Sequence, residues 1–352
     1  MGKQCKGCGA HLQNTDPMKA GYITDLTKDF CVRCYRLNHY GDTKQLNLHV
    51  EASSVLNEIS LMEKALYVWV IDIFHLEASQ IPSLKRWLNE KPVIVIFTKR
   101  ELLPLTMSQS KLIRAVQPFL KQSQINVVDV IISSKMGKEG KDLIIKSIKR
   151  LKDSLKLEKV VFFGQTNAGK STLLNTLFSE TSQLSVSAYP GTTLDLLKID
   201  TSIGDVYDSP GIDLKDNILN HLPLEAVKLL QPKRQIKPIT YQLMQNQSLI
   251  IAGLAKIDFL GAQQLSVTAY FPESVEIHRT KVENSTTQFE RAQENLFSIA
   301  DKKLRTTQLK NNPEGFDLVI DHIGFFSIKG KVQNVSITCS EHVSFSQRKV
   351  MI

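Results

Sequence analysis

An eight-residue segment near the middle of the chain constrains the fold more than any other feature. Gly164-Gln165-Thr166-Asn167-Ala168-Gly169-Lys170-Ser171 fits the pattern G-x-x-x-x-G-K-[ST]. An apolar run at 160–163 precedes it, and a helical pattern that begins at Thr172 follows it. A strand, a loop and a helix in this order place successive backbone N–H groups around phosphate groups. The segment therefore predicts a phosphate-binding loop, with 163 residues of chain before it.

The residue types in this loop predict how residues 164–172 would bind a nucleotide. Lys170 is expected to reach the β- and γ-phosphates, and the hydroxyl of Ser171 is expected to ligate Mg²⁺. The glycines let the backbone approach the phosphates without a side-chain clash. Nucleotide binding is thus the first functional prediction.

Two later motifs supply what a phosphate-binding loop needs for Mg²⁺ and for sensing the γ-phosphate. Asp208-Ser209-Pro210-Gly211 follows a strand-like run at 205–207. Asp208 is predicted to hold Mg²⁺ through water, and the Gly211 N–H to contact the γ-phosphate. Between the loop and this motif lies Pro190-Gly191-Thr192-Thr193. A threonine there can give its hydroxyl to Mg²⁺ and its N–H to the γ-phosphate, as in a triphosphate-dependent switch. We favour Thr193 over Thr192, because Leu-Asp follows it.

Candidate base-recognition segments lie upstream of the phosphate-binding loop. G proteins select guanine with N-K-x-D and a later S-A-K turn, and both normally follow the Mg²⁺ aspartate. Here an apolar run at 93–97 leads into Thr98-Lys99-Arg100-Glu101, and another at 130–132 leads into Ser133-Ser134-Lys135. The alternative, Ala255-Lys256-Ile257-Asp258, lacks the amide side chain and has no S-x-K turn after it. We favour the upstream pair, because a parallel sheet can be cut and rejoined without moving its side chains.

Four of the five cysteines lie in the first 34 residues, in two pairs with C-x-x-C spacing. Each pair can bind one metal ion, and two pairs complete a tetrahedral thiolate site. A disulfide is the alternative that a cytosolic chain disfavours, and two redox pairs fit this spacing less well than one closed structural site. The sequence predicts zinc bound by Cys5, Cys8, Cys31 and Cys34, as a folding and docking element without catalysis.

The pattern of elements predicts three parts. Residues 1–45 form the zinc module. From 46 to 220, strand-like runs alternate with helical patterns, which indicates an α/β domain with a parallel-rich sheet covered by helices on both faces. From 221 to 352, short β-rich runs predict a β-rich α+β domain with a helix near 286–303. The predicted strands are at 66–74, 92–97, 127–132, 160–163, 204–207, 248–254, 265–271, 274–278, 317–320, 324–328 and 335–339, and the predicted helices of the middle part are at 112–120 and 143–155.

Charge and hydropathy bear on partners and location. The net charge of +9 favours a polyanionic partner, of which nucleic acid is the commonest. No apolar run approaches the roughly 18 residues of a membrane span, and the first residues lack the apolar core of a secretion signal. We expect a cytoplasmic protein without a membrane partner; its oligomeric state is left open.

Taken together, the paired C-x-x-C motifs, the motif order and the trailing β-rich part resemble the YqeH-type circularly permuted GTPases, over nearly the whole chain. The resemblance implies a circularly permuted P-loop GTPase domain that binds GTP and GDP and acts in assembly of the small (30S) ribosomal subunit. It also implies contact of the C-terminal region with ribosomal RNA or a partner protein.

Three positions qualify this expectation. Glu101 stands where the family has aspartate, which moves the carboxylate by about one methylene, roughly 1.5 Å, and predicts a weaker guanine preference. Ile212 follows Gly211 where Ras-like proteins have a water-orienting glutamine, so intrinsic hydrolysis should be slow. Asn167 matches a position that helps to bind K⁺ in related proteins, and such an ion would supply the charge of an arginine finger. The alternatives are an RNA-binding scaffold that barely hydrolyses nucleotide, and a metal-stapled scaffold with a vestigial nucleotide site.

Overall fold

The computed structural model divides the chain into two compact units. The first unit comprises Met1–Ile73, Ser79–Arg100 and Pro118–Leu214, and the second comprises Phe74–Ala78, Glu101–Gln117 and Lys215–Ile352. The structure describes Lys3, Cys5 and residues 12–15, 21–25, 27–32, 52–133, 138–178, 186–188, 196–212, 217–232, 234–294, 297, 299, 303–312 and 314–352.

A seven-stranded, mostly parallel sheet forms the centre of the first unit, in the order β3-β2-β1-β4-β7-β6-β5. Its strands are β1 (Ala65–Asp72), β2 (Val93–Thr98), β3 (Val127–Ile132), β4 (Lys159–Gly164), β5 (Val186–Ala188), β6 (Leu197–Thr201) and β7 (Gly204–Asp208). Five neighbouring strands of the sheet, β3, β2, β1, β4 and β7, run parallel to one another. At the edge, β6 pairs antiparallel with β7, and β5 pairs antiparallel with β6. The strand before the phosphate-binding loop, β4, is central. Its neighbours are β1, which precedes it in the chain, and β7, which follows it.

Helices cover both faces of this sheet, as the sequence predicted. Every residue of β1 and β2 is buried, because each strand is packed on two sides. Side chains of α4 (Lys138–Ser154) and α5 (Lys170–Phe178) pack in one core cluster with Leu66 and Val68. On the opposite face, Trp69 contacts Phe119 of α3 (Gln109–Ser123), with ring centroids 5.5 Å apart. The helices up to this point are α1 (Ala52–Ser60), α2 (Leu84–Leu88), α3 (Gln109–Ser123), α4 (Lys138–Ser154) and α5 (Lys170–Phe178). The predicted α/β architecture is confirmed, and β5 and β6 are strands that the sequence analysis missed.

An eight-stranded antiparallel sheet dominates the second unit, so the predicted β-rich C-terminal part is confirmed. The strands of this sheet are β8 (Ile239–Ile251), β9 (Ala255–Tyr270), β10 (Ile277–Lys281), β11 (Leu304–Gln308), β12 (Phe316–Ile320), β13 (Gly324–Lys331), β14 (Asn334–Ser340) and β15 (Phe345–Arg348). The 16-residue strand β9 pairs with β8 on one side and with β13 and β14 on the other. Helix α6 (Leu224–Leu230) contributes Ala226, Val227 and Leu230 to the core beneath this sheet.

The helix predicted near 286–303 is placed differently. Helix α7 runs from Val282 to Ala292, with Glu283 in its first turn, where a carboxylate is favourable. It ends where the turn after β8 meets it: a Cβ added to Gly253 would lie 2.2 Å from the carbonyl oxygen of Ala292. The prediction was therefore wrong at both ends. None of the described helices is both long enough and apolar enough for a membrane span.

Candidate nucleotide-binding site

The predicted phosphate-binding loop joins β4 to α5. Gly164 ends the strand, and a Cβ there would lie 2.3 Å from the carbonyl oxygen of Val70, so only glycine fits. Gly169 and Asn167 have φ of +90° and +66°, in the region that L side chains rarely adopt. The N–H of Leu173 donates to the carbonyl of Gly169 at 2.9 Å, so α5 starts directly from the loop. The loop therefore leads directly into the N-terminus of α5, a nine-residue helix, where backbone N–H groups favour a phosphate group.

Lys170 and Asp208 meet beside the start of α5. The Nζ atom of Lys170 forms an ion pair with Oδ1 of Asp208, and it donates to the carbonyl oxygen of Ser209 at 2.6 Å. Both residues are buried, and Asp208 is placed by the parallel pairing of β7 with β4, where it lies opposite Phe162. The cation expected to bind phosphate and the carboxylate expected to serve Mg²⁺ therefore share one location.

The segment after Asp208 lies against the phosphate-binding loop. Gly211 approaches Thr166 so closely that a Cβ at 211 would lie 2.8 Å from the Thr166 hydroxyl oxygen. Ile212 donates its N–H to Gly164 at 3.0 Å and accepts from the N–H of Thr166 at 3.0 Å. The Ile212 side chain is only 1% exposed, so the position after Gly211 presents an apolar, buried group. Thr192 and Thr193, which were predicted for the switch, lie outside the described residues.

The first predicted base segment contacts the phosphate-binding loop. Thr98 ends β2 and is buried, and its Oγ1 lies 2.6 Å from the carbonyl oxygen of Ala168 and 3.1 Å from that of Ile71. A single hydroxyl proton donates to one of the two, and the shorter distance is to Ala168. Seventy residues separate Thr98 from Ala168 in the chain. The order of strands β2, β1 and β4 in the sheet places them next to each other.

Lys99 is held by a residue that the sequence analysis did not single out. Its backbone has φ of +60°, and its Nζ forms an ion pair at 2.7 Å with Oδ2 of Asp72, the last residue of β1. Asp72 lies opposite Thr98 in the register of β1 and β2. The strand was predicted at 66–74, and a carboxylate within that apolar run was the one signal for this residue in the sequence. Glu101 follows in a 3₁₀-helix, Arg100–Leu102.

The second predicted base segment begins next to the first. The N–H of Ser133 donates to the carbonyl of Phe97 at 2.7 Å, and the N–H of Arg100 donates to the carbonyl of Ser133 at 3.2 Å. Ser133 is buried. Ser134 and Lys135, the rest of this predicted segment, lie outside the described residues.

The downstream alternative for base recognition lies in the second unit. Lys256 and Asp258 are in β9, where their charges pair at 3.0 Å. Lys256 also donates to Ser285 at 3.1 Å, and the hydroxyl of Ser248 donates to Asp258 at 2.6 Å. Both side chains are thus engaged within an antiparallel sheet, whereas base motifs of G proteins follow the ends of parallel strands.

Two of the four predicted zinc ligands are close to each other. The N–H of Cys31 donates to the sulfur of Cys5 at 3.1 Å, and both residues are 2% exposed. They share a small cluster with Leu12, Ile23 and Leu197. Within the described part of the chain, no group of three or more His, Cys, Asp or Glu residues is arranged to hold a metal ion. Cys8 and Cys34 lie outside that part.

The segment that holds the phosphate-binding loop is similar to a known protein family. Residues 159–261 match the family model described as 50S ribosome-binding GTPase. The match begins at β4, so it includes the phosphate-binding loop and Asp208 but not the upstream segments. The chain is 31% identical to YqeH of Bacillus subtilis over 297 residues, which is 82% of this chain and 80% of that protein.

The alignments with two other relatives cover a smaller share of those proteins. NO-associated protein 1 of Arabidopsis thaliana, a chloroplastic and mitochondrial protein, is 24% identical over 82% of this chain and 60% of its own. The tRNA modification GTPase MnmE of Ureaplasma parvum is 33% identical over 116 residues, 31% of this chain and 26% of its own.

Proposed function

Because the chain belongs to the YqeH-type family of circularly permuted GTPases, we propose that it is a GTP-dependent switch that acts in assembly of the small ribosomal subunit. The observation that carries the nucleotide-binding part of this proposal is the hydrogen bond from Thr98 to Ala168, at 2.6 Å. It joins a base segment from before the phosphate-binding loop to the loop itself. One nucleotide can therefore be bound at its base by the earlier region and at its phosphates by the later one.

The base pocket is assigned to the ends of β2 and β3. Thr98, Lys99 and Glu101 would lie along the guanine, with Glu101 accepting from its N–H groups. Ser133, Ser134 and Lys135 would close the other side of the base. The backbone bonds between Ser133 and its neighbours Phe97 and Arg100 support this assignment, because they hold the two segments together.

The phosphate and Mg²⁺ chemistry is assigned to α5 and the end of β7. Mg²⁺ would supply positive charge to the β- and γ-phosphate oxygens, and Ser171, Thr193 and Asp208 would hold it. The buried ion pair between Lys170 and Asp208 supports this assignment, because the two residues have opposite charges and lie at one point. A triphosphate with its metal offers each of them a stronger partner: phosphate for Lys170 and Mg²⁺ for Asp208. Gly211, which lies against the loop at Thr166, would sense the γ-phosphate through its N–H.

Slow intrinsic hydrolysis follows from Ile212. An apolar side chain that is 1% exposed cannot orient an attacking water. K⁺ beside the phosphates, held in part by Asn167, would supply the missing positive charge. A ribosomal particle could stimulate turnover by the same principle, with a group of its own.

A structural zinc ion is proposed for the cysteines at the start of the chain. An N–H that donates to a cysteine sulfur stabilises a thiolate, and the bond from Cys31 to Cys5 brings together one cysteine of each C-x-x-C pair. Cys5, Cys8, Cys31 and Cys34 would then complete the tetrahedral set. Metal analysis of the purified chain should give one zinc per chain, and Cys5→Ser should lose it; zinc-free protein at full solubility would contradict the site.

The charge of the chain and the matched family model both support a ribosomal partner. The net charge of +9 supports contact with ribosomal RNA. The description of the matched family model names ribosome binding, although of the 50S subunit. The alternative is an RNA-binding scaffold that holds GTP but barely hydrolyses it, which Ile212 and Glu101 favour.

One experiment separates the switch from the scaffold. The GTPase rate is measured alone, with 30S subunits and with 50S subunits, and co-sedimentation is compared between a non-hydrolysable GTP analogue and GDP. The switch predicts stimulation by 30S particles and binding that depends on the nucleotide. Binding that is equal with both nucleotides, without stimulation, would favour the scaffold, and stimulation by 50S alone would contradict the assigned subunit.

A further inference from the structure

We propose that Asp72 is a positioning residue of the base pocket, which anchors the ammonium group of Lys99 so that the alkyl stem of this lysine is preset as a wall for the purine. The inference rests on the proposed function, because it assumes that Lys99 lies along a guanine base. It adds a residue that lies outside the base motif and comes from the neighbouring strand.

The position of Asp72 is fixed by the sheet. It is the last residue of β1 and pairs with Thr98 across the parallel register of β1 and β2. Its side chain is 5% exposed, whereas that of Lys99 is 27% exposed. The carboxylate is therefore a rigid, buried anchor, and the lysine is a partly exposed chain fixed at its far end. A buried carboxylate of this kind requires a partner, because desolvation without one is costly.

The backbone of Lys99 explains why an anchor is useful. Its φ of +60° lies in the left-handed region, where a lysine has little intrinsic preference to be. A free lysine side chain also samples many rotamers, and ordering it against a ligand has an entropic cost. The ion pair at 2.7 Å fixes the Nζ end before a ligand binds, which removes part of that cost.

The same geometry predicts which ligands are affected. Asp72 contacts Lys99 of the base motif, whereas Lys170 at the phosphate end has its own partners, Asp208 and Ser209. Loss of the Asp72 carboxylate should therefore weaken ligands that carry a base and leave base-free phosphate ligands unchanged. A role in folding alone would weaken both kinds of ligand together.

The test compares Asp72→Asn with the unaltered chain, using GTP and inorganic tripolyphosphate, each with Mg²⁺. We expect the Kd for GTP to rise about tenfold and that for tripolyphosphate to stay the same, with KM raised and kcat unchanged. Asp129→Asn is the matched control. Asp129 is a partly buried carboxylate in β3 of the same sheet, bonded to Ser147 and 3.5 Å from Arg150, and the variant should bind both ligands as the unaltered chain does.

A second variant tests whether Asp72 acts through Lys99. Lys99→Met keeps the alkyl stem and removes the charge, so Asp72→Asn should have no further effect on GTP affinity in that background. If Asp72→Asn does not fold, Asp72→Glu displaces the carboxylate while keeping its charge, and it should show a smaller, base-dependent loss. Equal loss of GTP and tripolyphosphate affinity, or an unchanged Kd for GTP, would overturn the inference. The proposed function fails separately, if the unaltered chain does not bind GTP.

Discussion

The hydroxyl of Thr98 donates to the carbonyl of Ala168 at 2.6 Å, which joins the end of β2 to the phosphate-binding loop. In the chain, Thr98 comes 70 residues before Ala168. In a G domain of conventional order, the base motif comes after the loop. The contact depends on the order of strands in the sheet, which places β2 beside β1 and β1 beside β4, and not on the order of the segments in the chain. Circular permutation changes the connections between strands and not which strands are neighbours in the sheet.

Removing this hydroxyl should weaken nucleotide binding. Thr98→Val keeps the shape of the side chain and leaves the Ala168 carbonyl without this donor, which costs on the order of 1–3 kcal/mol when the group is buried. We expect the free energy of unfolding to fall by this amount and the Kd for GTP to rise in calorimetric titration, because Thr98 and the loop are no longer held together. Thr98→Ser, which keeps the hydroxyl, is the control and should bind within a few-fold of the unaltered chain. Full affinity in the valine variant would show that the contact does not support the site.

Glu101 should limit the preference for guanine. The longer side chain displaces the carboxylate that accepts from the base, and a well-placed bidentate contact to a base is worth about 1–3 kcal/mol. Glu101→Asp is therefore expected to raise the ratio of GTP to ATP affinity by about tenfold. Competition titrations with GTP, ATP and XTP measure this ratio, and Glu101→Gln should abolish the preference. An aspartate variant with an unchanged ratio would place guanine recognition elsewhere.

Hydrolysis should depend on the monovalent cation. With Ile212 in place of a water-orienting residue, positive charge beside the phosphates is the remaining source of stabilisation, so turnover should be faster in K⁺ than in Na⁺. Asn167→Ala should remove the difference between the two salts while GTP still binds. Phosphate release at matched ionic strength measures the effect. Unchanged K⁺ stimulation in Asn167→Ala would exclude this role for the asparagine.

The second unit should lose stability as the pH rises toward neutral. Burial, and then repulsion from Glu77, raise the pKa of Asp321 to about 7 from an ordinary 3.8. Its Oδ1 atom is buried and lacks a hydrogen-bond partner among the described residues. The folded chain therefore keeps a proton that the unfolded chain loses near its ordinary pKa. Stability falls between about pH 4 and pH 7, by an amount on the order of a few kcal/mol.

Replacing this carboxyl group should reverse the effect. Asp321→Asn is expected to raise the unfolding temperature by several degrees at pH 8 and to have little effect near pH 4, where the native carboxyl group is already neutral. Thermal unfolding at the two pH values provides the comparison. Glu276→Gln, at an exposed position of the same unit, serves as the control and should show no such difference. A stabilisation that is equal at both pH values would mean that the carboxyl group is not the cause.

Local patterns in the sequence predicted the features that depend on neighbouring residues. The strand, loop and helix around Gly164 and Lys170 follow from one motif and its flanks. The buried strands of the first unit follow from continuous apolar runs. The order of these strands in the sheet was not predicted. The upstream motifs resembled base segments, which predicted only that they lie beside the phosphate-binding loop.

Contacts between distant parts of the chain were harder to predict. Asp72 belongs to no motif, and its contact with Lys99 could not be predicted without the register of β1 and β2. Ile212 is joined to the phosphate-binding loop by backbone hydrogen bonds, and these cannot be predicted from the types of side chain. The end of α7 lies against Gly253, 39 residues earlier in the chain, a contact that helical periodicity alone does not show.

The central claim is that regions before and after residue 159 bind one nucleotide. Photo-crosslinking with two labelled nucleotides tests it most directly. A 6-thioguanosine triphosphate reports on residues near the base, and a GTP analogue with a photoreactive γ-phosphate substituent reports on residues near the phosphates. Peptide mapping should place the base label within 98–101 or 133–135 and the phosphate label within 164–172 or 208–212. A base label at 255–258, or none before residue 159, would contradict the account.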